Sequence, residues 1–190
     1  MKIKTLLIST LIMLIANLNV LAESATEPAT KKESGSFKFS MGFGSAKDWN
    51  YEGTGFIYTV GYQRTIWNEK LSINPNFSVG TYSAQSIEDV PKAYFSSKTI
   101  DVIFYYDFLQ VDKGALVFGA GLMSNHLNGF SANESGKYEG QFHYGIYLGG
   151  GFKFKPLNDR LTLSVMPINI RFGNDYFSEF NASIVLNVKL

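Results

Sequence analysis

Two histidines, His126 and His143, are the only imidazoles in this 190-residue sequence, and it contains no cysteine. Nucleophilic catalysis needs a nucleophile, a base and an orienting acid within hydrogen-bond reach of one another. One stretch gathers those residue types. Ser124-Asn125-His126 precedes Glu134, so Ser124, His126 and Glu134 form the candidate catalytic set, read here within and beside a polar loop, Asn125–Glu139. The competing reading is an ordinary hydrophilic loop, because Ser131-Ala132-Asn133-Glu134-Ser135 is a common turn cluster. A metal site is not expected, since no histidine or carboxylate pair has ligand spacing. The lack of cysteine removes thiolate sites, disulfides and an N-terminal lipidated cysteine, and no cofactor is expected.

A second polar set, Lys38, Asp101, Asp107, His143, Lys153, Arg171, Glu179 and Lys189, is spread along the chain and gains meaning only from the elements that carry it. The clearest element is the last one, Ser178–Leu190. Phe180, Ala182, Ile184, Leu186, Val188 and Leu190 alternate there with Glu179, Asn181, Ser183, Asn187 and Lys189, and only Val185 interrupts. A period of two over this length predicts a strand with one apolar and one polar face. Such a strand needs neighbours for its backbone groups. Seven more segments supply them: 35–45, about 53–67, 71–84, 98–109, 115–124, 140–155 and 161–172. Pro75 lacks an N–H and predicts a bulge or a local break in its ladder. The seventh segment slips phase near Pro167, so that Ile168 and Ile170 rejoin the apolar face across a predicted bulge.

The segments before and between these strands complete the plan. Lys2 and Lys4 open a largely apolar run that ends at Ala22, the pattern of a secretory signal peptide, residues 1–22, and Glu23–Ser34 is a polar leader. Without the signal the chain has 15 basic and 16 acidic residues, so it has no nucleic-acid footprint. Residues 68–70, 110–114 and 156–160 are tight turns, whereas 46–52, 85–97 and 125–139 are longer polar loops. The last connection, 173–177, belongs to the loop end but is short. Short turns at one end and longer loops at the other are the pattern of a transmembrane β-barrel.

Volume decides which face is the lumen. A soluble lipocalin-like barrel also alternates, with its apolar face inward. Here roughly forty apolar side chains, nearly all large, would have to enter an interior that holds about a dozen. They must therefore face outward, and the Gly-, Ser-, Thr- and Asn-rich face must line the lumen. The polar set then points inward, where opposite charges can pair, whereas a basic side chain at the lipid midplane would cost about 2–4 kcal/mol. Arg64, outward near Trp67 at the turn end, can reach the headgroups along its stem.

With its signal peptide, eight amphipathic strands, alternating turns and loops and a C-terminal strand, the chain resembles the small outer-membrane β-barrel proteins of the OmpA/OmpX type over Gly35–Leu190. That resemblance implies an all-β, eight-stranded antiparallel up-and-down barrel in the bacterial outer membrane, with long loops outward and termini in the periplasm. It also implies contact with outer-membrane lipid and lipopolysaccharide. In that family the last strand is read by the barrel-assembly machinery and usually ends in an aromatic residue; here 178–190 ends in Leu190. Ser124-Asn125-His126 is similar to the strand motif of outer-membrane lipid A deacylases only in composition, because that motif places His before Ser-Asn.

Three functions follow as expectations: a non-enzymatic membrane barrel acting structurally or through its loops, a lipid A-modifying hydrolase, and a narrow pore. The pore reading rests on Gly119, Gly121, Gly145, Gly149 and Gly151, which leave lumen volume unless Tyr82, Tyr105, Tyr147 and Met166 fill it. In the last hairpin, a turn centred on Asp175 sets Arg171 opposite Glu179, and Arg171 reaches the lumen only if the slip near Pro167 is a bulge.

Overall fold

The computed structural model describes residues 35–48, 52–67, 70–84, 94–111, 114–130, 138–154 and 160–190, all within one compact unit, Glu33–Leu190. The signal and leader segments, 1–22 and 23–34, lie outside the described residues, as does Glu134. Eight strands form in chain order: β1 (Gly35–Lys47), β2 (Glu52–Trp67), β3 (Leu71–Ala84), β4 (Tyr94–Val111), β5 (Gly114–Phe130), β6 (Tyr138–Phe154), β7 (Leu161–Gly173) and β8 (Ser178–Lys189). Each pairs antiparallel with the next, and β8 returns to β1, closing the barrel. The fold is thus the all-β, eight-stranded antiparallel barrel expected from the alternation. Closure removes the unpaired edges that hydrocarbon would not tolerate.

The outward face is the apolar one. Phe37, Phe39, Met41 and Phe43 of β1 are each about half exposed, as are Phe56, Tyr58 and Val60 of β2. The inward face of β3, Ser72, Asn74, Asn76 and Ser78, is buried. A wall that is apolar outside and polar inside suits a lipid surround and inverts the plan of a soluble barrel. Val185, which seemed to spoil the alternation of β8, keeps it. Its side chain is buried in the lumen while Ile184 and Leu186 face out, and it joins Ile103, Tyr105, Val117, Tyr147 and Met166 in an apolar cluster inside.

Three irregularities shift the register. One lies between Met166 and Asn169, where β7 gains a residue against both β6 and β8. Met166 points in, Pro167 and Ile168 are both exposed, and Asn169 and Arg171 point in again. The others lie near Thr65–Trp67 and Asp107–Leu109. At Pro75 the register is unbroken toward β4 and is the same on either side of a gap in the β2 ladder between Gly61 and Arg64. The missing N–H breaks pairing locally without adding a residue.

The strands near the loop end are longer than the alternation indicated. β4 begins at Tyr94, β5 runs to Phe130 and β6 starts at Tyr138, so the expected loop 125–139 is mostly strand. A membrane needs only about 9–11 residues per tilted strand. The 17 residues of β5 and of β6 therefore carry the ladder beyond the apolar band.

Candidate functional site in the barrel lumen

The bulge at Pro167 positions the centre of the site. It turns Asn169 and Arg171 inward, and the Asn169 amide donates to the carbonyls of Met166 (3.0 Å) and Asn181 (3.1 Å). Arg171 then spans the lumen. Its Nη2 donates to Asp101 Oδ2 at 2.7 Å and to Ser78 Oγ at 3.2 Å, and its Nε donates to Asp101 Oδ1 at 3.2 Å. Its Nη1 donates to Glu179, the residue opposite it in the β7–β8 register. Glu179 also accepts from the Tyr82 hydroxyl at 2.7 Å and from the Asn181 amide at 3.3 Å. Strands β3, β4, β7 and β8 thus meet at one guanidinium, with both carboxylates out of contact with solvent. A buried ion pair is tolerable only when its remaining hydrogen-bonding sites are filled in this way.

A chain of phenols continues from this centre. Tyr147 Oη donates to Asn169 Oδ1 at 2.6 Å and shares a 2.8 Å hydrogen bond with Tyr105 Oη. Lys38 Nζ lies 3.5 Å from Tyr105 Oη and 4.7 Å from the centre of its ring. Lys38 and Arg171 balance Asp101 and Glu179 in charge. Nearer the turn end, Lys153 and Asp107 form a separate pair at 2.5 Å. At the loop end Asn125 donates to Ser97 and Thr99.

The lumen glycines do not open a channel. A Cβ on Gly80, Gly119 or Gly149 would strike the ring or hydroxyl of Tyr82, Tyr105 or Tyr147 respectively. Each glycine is the seat of a tyrosine lying across the lumen. Among the described residues one gap is walled by Thr59, Asn76, Asp101 and Arg171 and another by Gln63, Asn74, Asp107 and Asn187, with Lys38 and Tyr105 bordering both. Each accepts on the order of two water molecules, and the buried amide oxygens of Asn74, Asn76 and Asn187 need such donors. Ala46, Ile57, Tyr82, Phe95, Met123, Leu127 and Phe177 pack as an apolar plug at the loop end.

Not all of the polar set joins this network. Lys189 is exposed at the turn-end rim, because β8 reaches the rim there and the inward face runs out into solvent. His143 is inward but sits apart, at the loop end. Its ring stacks on Phe177, its Nδ1 lies 3.1 Å from the Asn174 carbonyl, and its Nε2 faces Asp48 Oδ2 at 3.7 Å. Asp48 was not singled out by sequence, since it follows the last β1 residue in what reads as loop.

Ser124 is a strand residue as expected, His126 is a strand residue rather than the expected loop residue, and alternation turns both outward. The His126 ring lies against Phe142 at 4.5 Å, and among the described residues no hydrogen bond joins it to Ser124. The described residues hold no group of three or more potential metal ligands.

A closed eight-stranded barrel, apolar outside and polar and filled within, is the fold of the small bacterial outer-membrane β-barrels. Among solved structures, Neisserial surface protein A is similar with 14% identity and a TM-score of 0.62, over 82% of this chain and 97% of that one. The Ail attachment invasion locus protein of Yersinia pestis, in complex with the heparin analogue sucrose octasulfate, is similar with 12% identity and a TM-score of 0.55, over 84% of this chain and all of that one. At these identities the likeness is one of fold. No family model matches the sequence, and no curated protein matches it.

Proposed function

We propose that this protein is a non-enzymatic integral barrel of the bacterial outer membrane, which stabilises the envelope or presents its loops to partners. The observation that carries this reading is the pairing of an apolar exterior with a lumen closed by its own side chains. With the lumen closed, the wall and the loops are the surfaces left for interaction. On this reading residues 1–22 direct export, the strand at 178–190 is the segment offered to the barrel-assembly machinery, the loops face outward, and lipid and lipopolysaccharide surround the wall. Ail, a barrel of similar fold, is solved in complex with the heparin analogue sucrose octasulfate, which supports ligand binding as one use of this fold. Here the loop sequences carry Asp48, Glu52, Glu88, Asp89, Glu134, Glu139 and Asp175 against Lys47, Lys92 and Lys137, an acidic balance that favours a partner other than a polyanion.

The test is migration on a gel. The unboiled protein in detergent should run at a different apparent size from the boiled one, because closure leaves no frayed edge and a large unfolding barrier. Equal migration, with helical circular dichroism, would refute the architecture. The hydrolase alternative predicts lipid deacylation that is lost in Ser124→Ala and His126→Ala; a protein without that activity leaves the non-enzymatic reading standing.

A further inference from the structure

The turn between β7 and β8 is held in a conformation that its own residues disfavour. Asp175 and Tyr176 have φ of 54° and 59°, in the left-handed region, and the Phe177 N–H donates to the Asn174 carbonyl at 3.1 Å. Those are the φ signs of a type I′ turn, whose central pair is ordinarily Asn-Gly because other side chains are strained there. Contacts from neighbouring strands hold it. The Asn174 N–H donates to the Tyr144 carbonyl at 3.1 Å, and the Asn174 side-chain oxygen accepts the Tyr144 N–H at 2.7 Å. A further contact comes from His143.

His143 is fully buried and stacks on Phe177, the last residue of that turn. Its Nδ1 lies 3.1 Å from the Asn174 carbonyl, and a carbonyl only accepts, so Nδ1 carries a hydrogen. In the neutral ring Nε2 then bears a lone pair. What it faces is Asp48 Oδ2, at 3.7 Å and equally out of solvent. Two acceptors opposed in a dry site repel. Once the ring is an imidazolium, Nε2 becomes a donor, the pair becomes a charge-assisted hydrogen bond, and Nδ1 donates more strongly to Asn174 as well. Of the other described charges toward this end, Lys47 pairs with Glu52 at 2.7 Å, and Glu179 is taken by Arg171 and Tyr82. Asp175 is exposed beside the Asn174 amide, and Lys98 stands on the outer wall of β4.

We propose that His143 is a proton-operated clasp at the loop end of the barrel. Charged, it ties the β7–β8 turn, through Asn174, to the end of β1, through Asp48, and holds Asp175 and Tyr176 in their strained conformation. Neutral, it parts from Asp48, and the turn that displays Tyr176, 76% exposed, relaxes. The geometry fixes the sign. The clasp closes as pH falls and opens as pH rises, in the range of about pH 5–8 where imidazole side chains change charge. Acidity thereby becomes a condition on the shape of one loop-end turn, which goes beyond the loop-presenting role proposed above.

The chain has no cysteine, so a nitroxide on Tyr176→Cys reports the motion of this turn alone in the full-length protein folded in detergent micelles. Ring-nitrogen NMR shifts report the charge on His143, with His126→Gln separating the two histidines. Between about pH 8 and about pH 5, His143 Nε2 should gain its proton while the label at 176 slows several-fold. A label on Tyr94→Cys, exposed at the same end on β4, should not change. His143→Gln should abolish the pH response at 176. Asp48→Asn keeps the ring and can donate its amide to the neutral Nε2, so there the turn should be held at the higher pH too. Asp48 has a further contact of its own, so the change with pH is compared between variants and not the mobility at one pH. A ring that keeps one charge state across this range would overturn the proposal, as would a label at 176 that ignores the ring's titration. So would a response that persists unchanged in His143→Gln or in Asp48→Asn. Should His143→Gln fail to fold, the ring titration and Asp48→Asn decide the matter.

Discussion

Arg171→Met is the most informative single change. It removes every donor that Asp101 receives from Arg171, and one of three from Glu179, which keeps Tyr82 and Asn181. Both carboxylates are at most 1% exposed, and the nearest remaining cation, Lys38, is across a water-sized gap. Removing one partner from a buried pair destabilises by about 3–5 kcal/mol, chiefly through the charge left behind. With a urea slope of about 2 kcal/mol/M, the midpoint should fall by roughly 1.5–2.5 M. Unfolding would be followed by tryptophan fluorescence and gel mobility in short-chain lipid vesicles. Adding Asp101→Asn should recover a substantial part of the loss, because it discharges the carboxylate left with the larger deficit of donors. A double-mutant cycle of Arg171→Met with Glu179→Gln should show clear coupling. A loss below about 1 kcal/mol for Arg171→Met, or lipid-side accessibility of a label at position 171, would refute both the network and the bulge that aims it.

Other outcomes follow from the packing. Gly145→Ala should destabilise by about 1–3 kcal/mol, since the new Cβ meets the Phe172 carbonyl, whereas Gly150→Ala, whose Cβ meets only the Val117 carbonyl oxygen at an ordinary 3.9 Å, should be neutral or stabilising by up to about 1 kcal/mol; urea midpoints compare them. Deleting Pro167 should still allow barrel formation by gel mobility, because it removes the extra residue and leaves Met166, Ile168 and Asn169 alternating in, out and in, with Arg171 inward; inserting one residue between Ile168 and Asn169 should instead turn Asn169 and Arg171 to lipid and abolish it. Planar bilayers with the wild type should show no ion-conducting steps, and steady conductance would contradict the filled lumen.

The alternation of apolar side chains was enough to read all eight strands and the outward apolar face, because both follow from side-chain periodicity. The bulge was legible too, since Ile168 and Ile170 are out of phase with Leu161, Leu163 and Val165. The upper ends of β4, β5 and β6 were not. Beyond the lipid the outer face of a strand meets water and turns polar, so Asn125–Phe130 loses the contrast that marks a strand, and His126 reads as loop. The cross-lumen contacts were only partly legible. Arg171 and Glu179 meet through a short hairpin, whereas Tyr82 reaches Glu179 and Asp101 reaches Arg171 across the barrel, at separations that periodicity does not encode. Asp48 beside His143 is of the same kind.

The seam between β8 and β1, with Leu190 hydrogen-bonded to Gly35, has a consequence for assembly. The wall is a ring of strands cut at one place, and β1 can fill only one of its two edges until β8 arrives. Every partly built intermediate therefore carries a waiting edge on its oldest strand, and that edge accepts any strand of matching register. Two molecules lacking their last strand could pair edge to edge into one larger cylinder. Conversely, a short linker from Leu190 to Gly35 would let the ring be reopened within 131–137, making β6 the first strand and β5 the last. Such a permuted chain would need the same eight ladders in a different order of arrival, so comparing its rate of closure with that of the parent would isolate what strand order contributes.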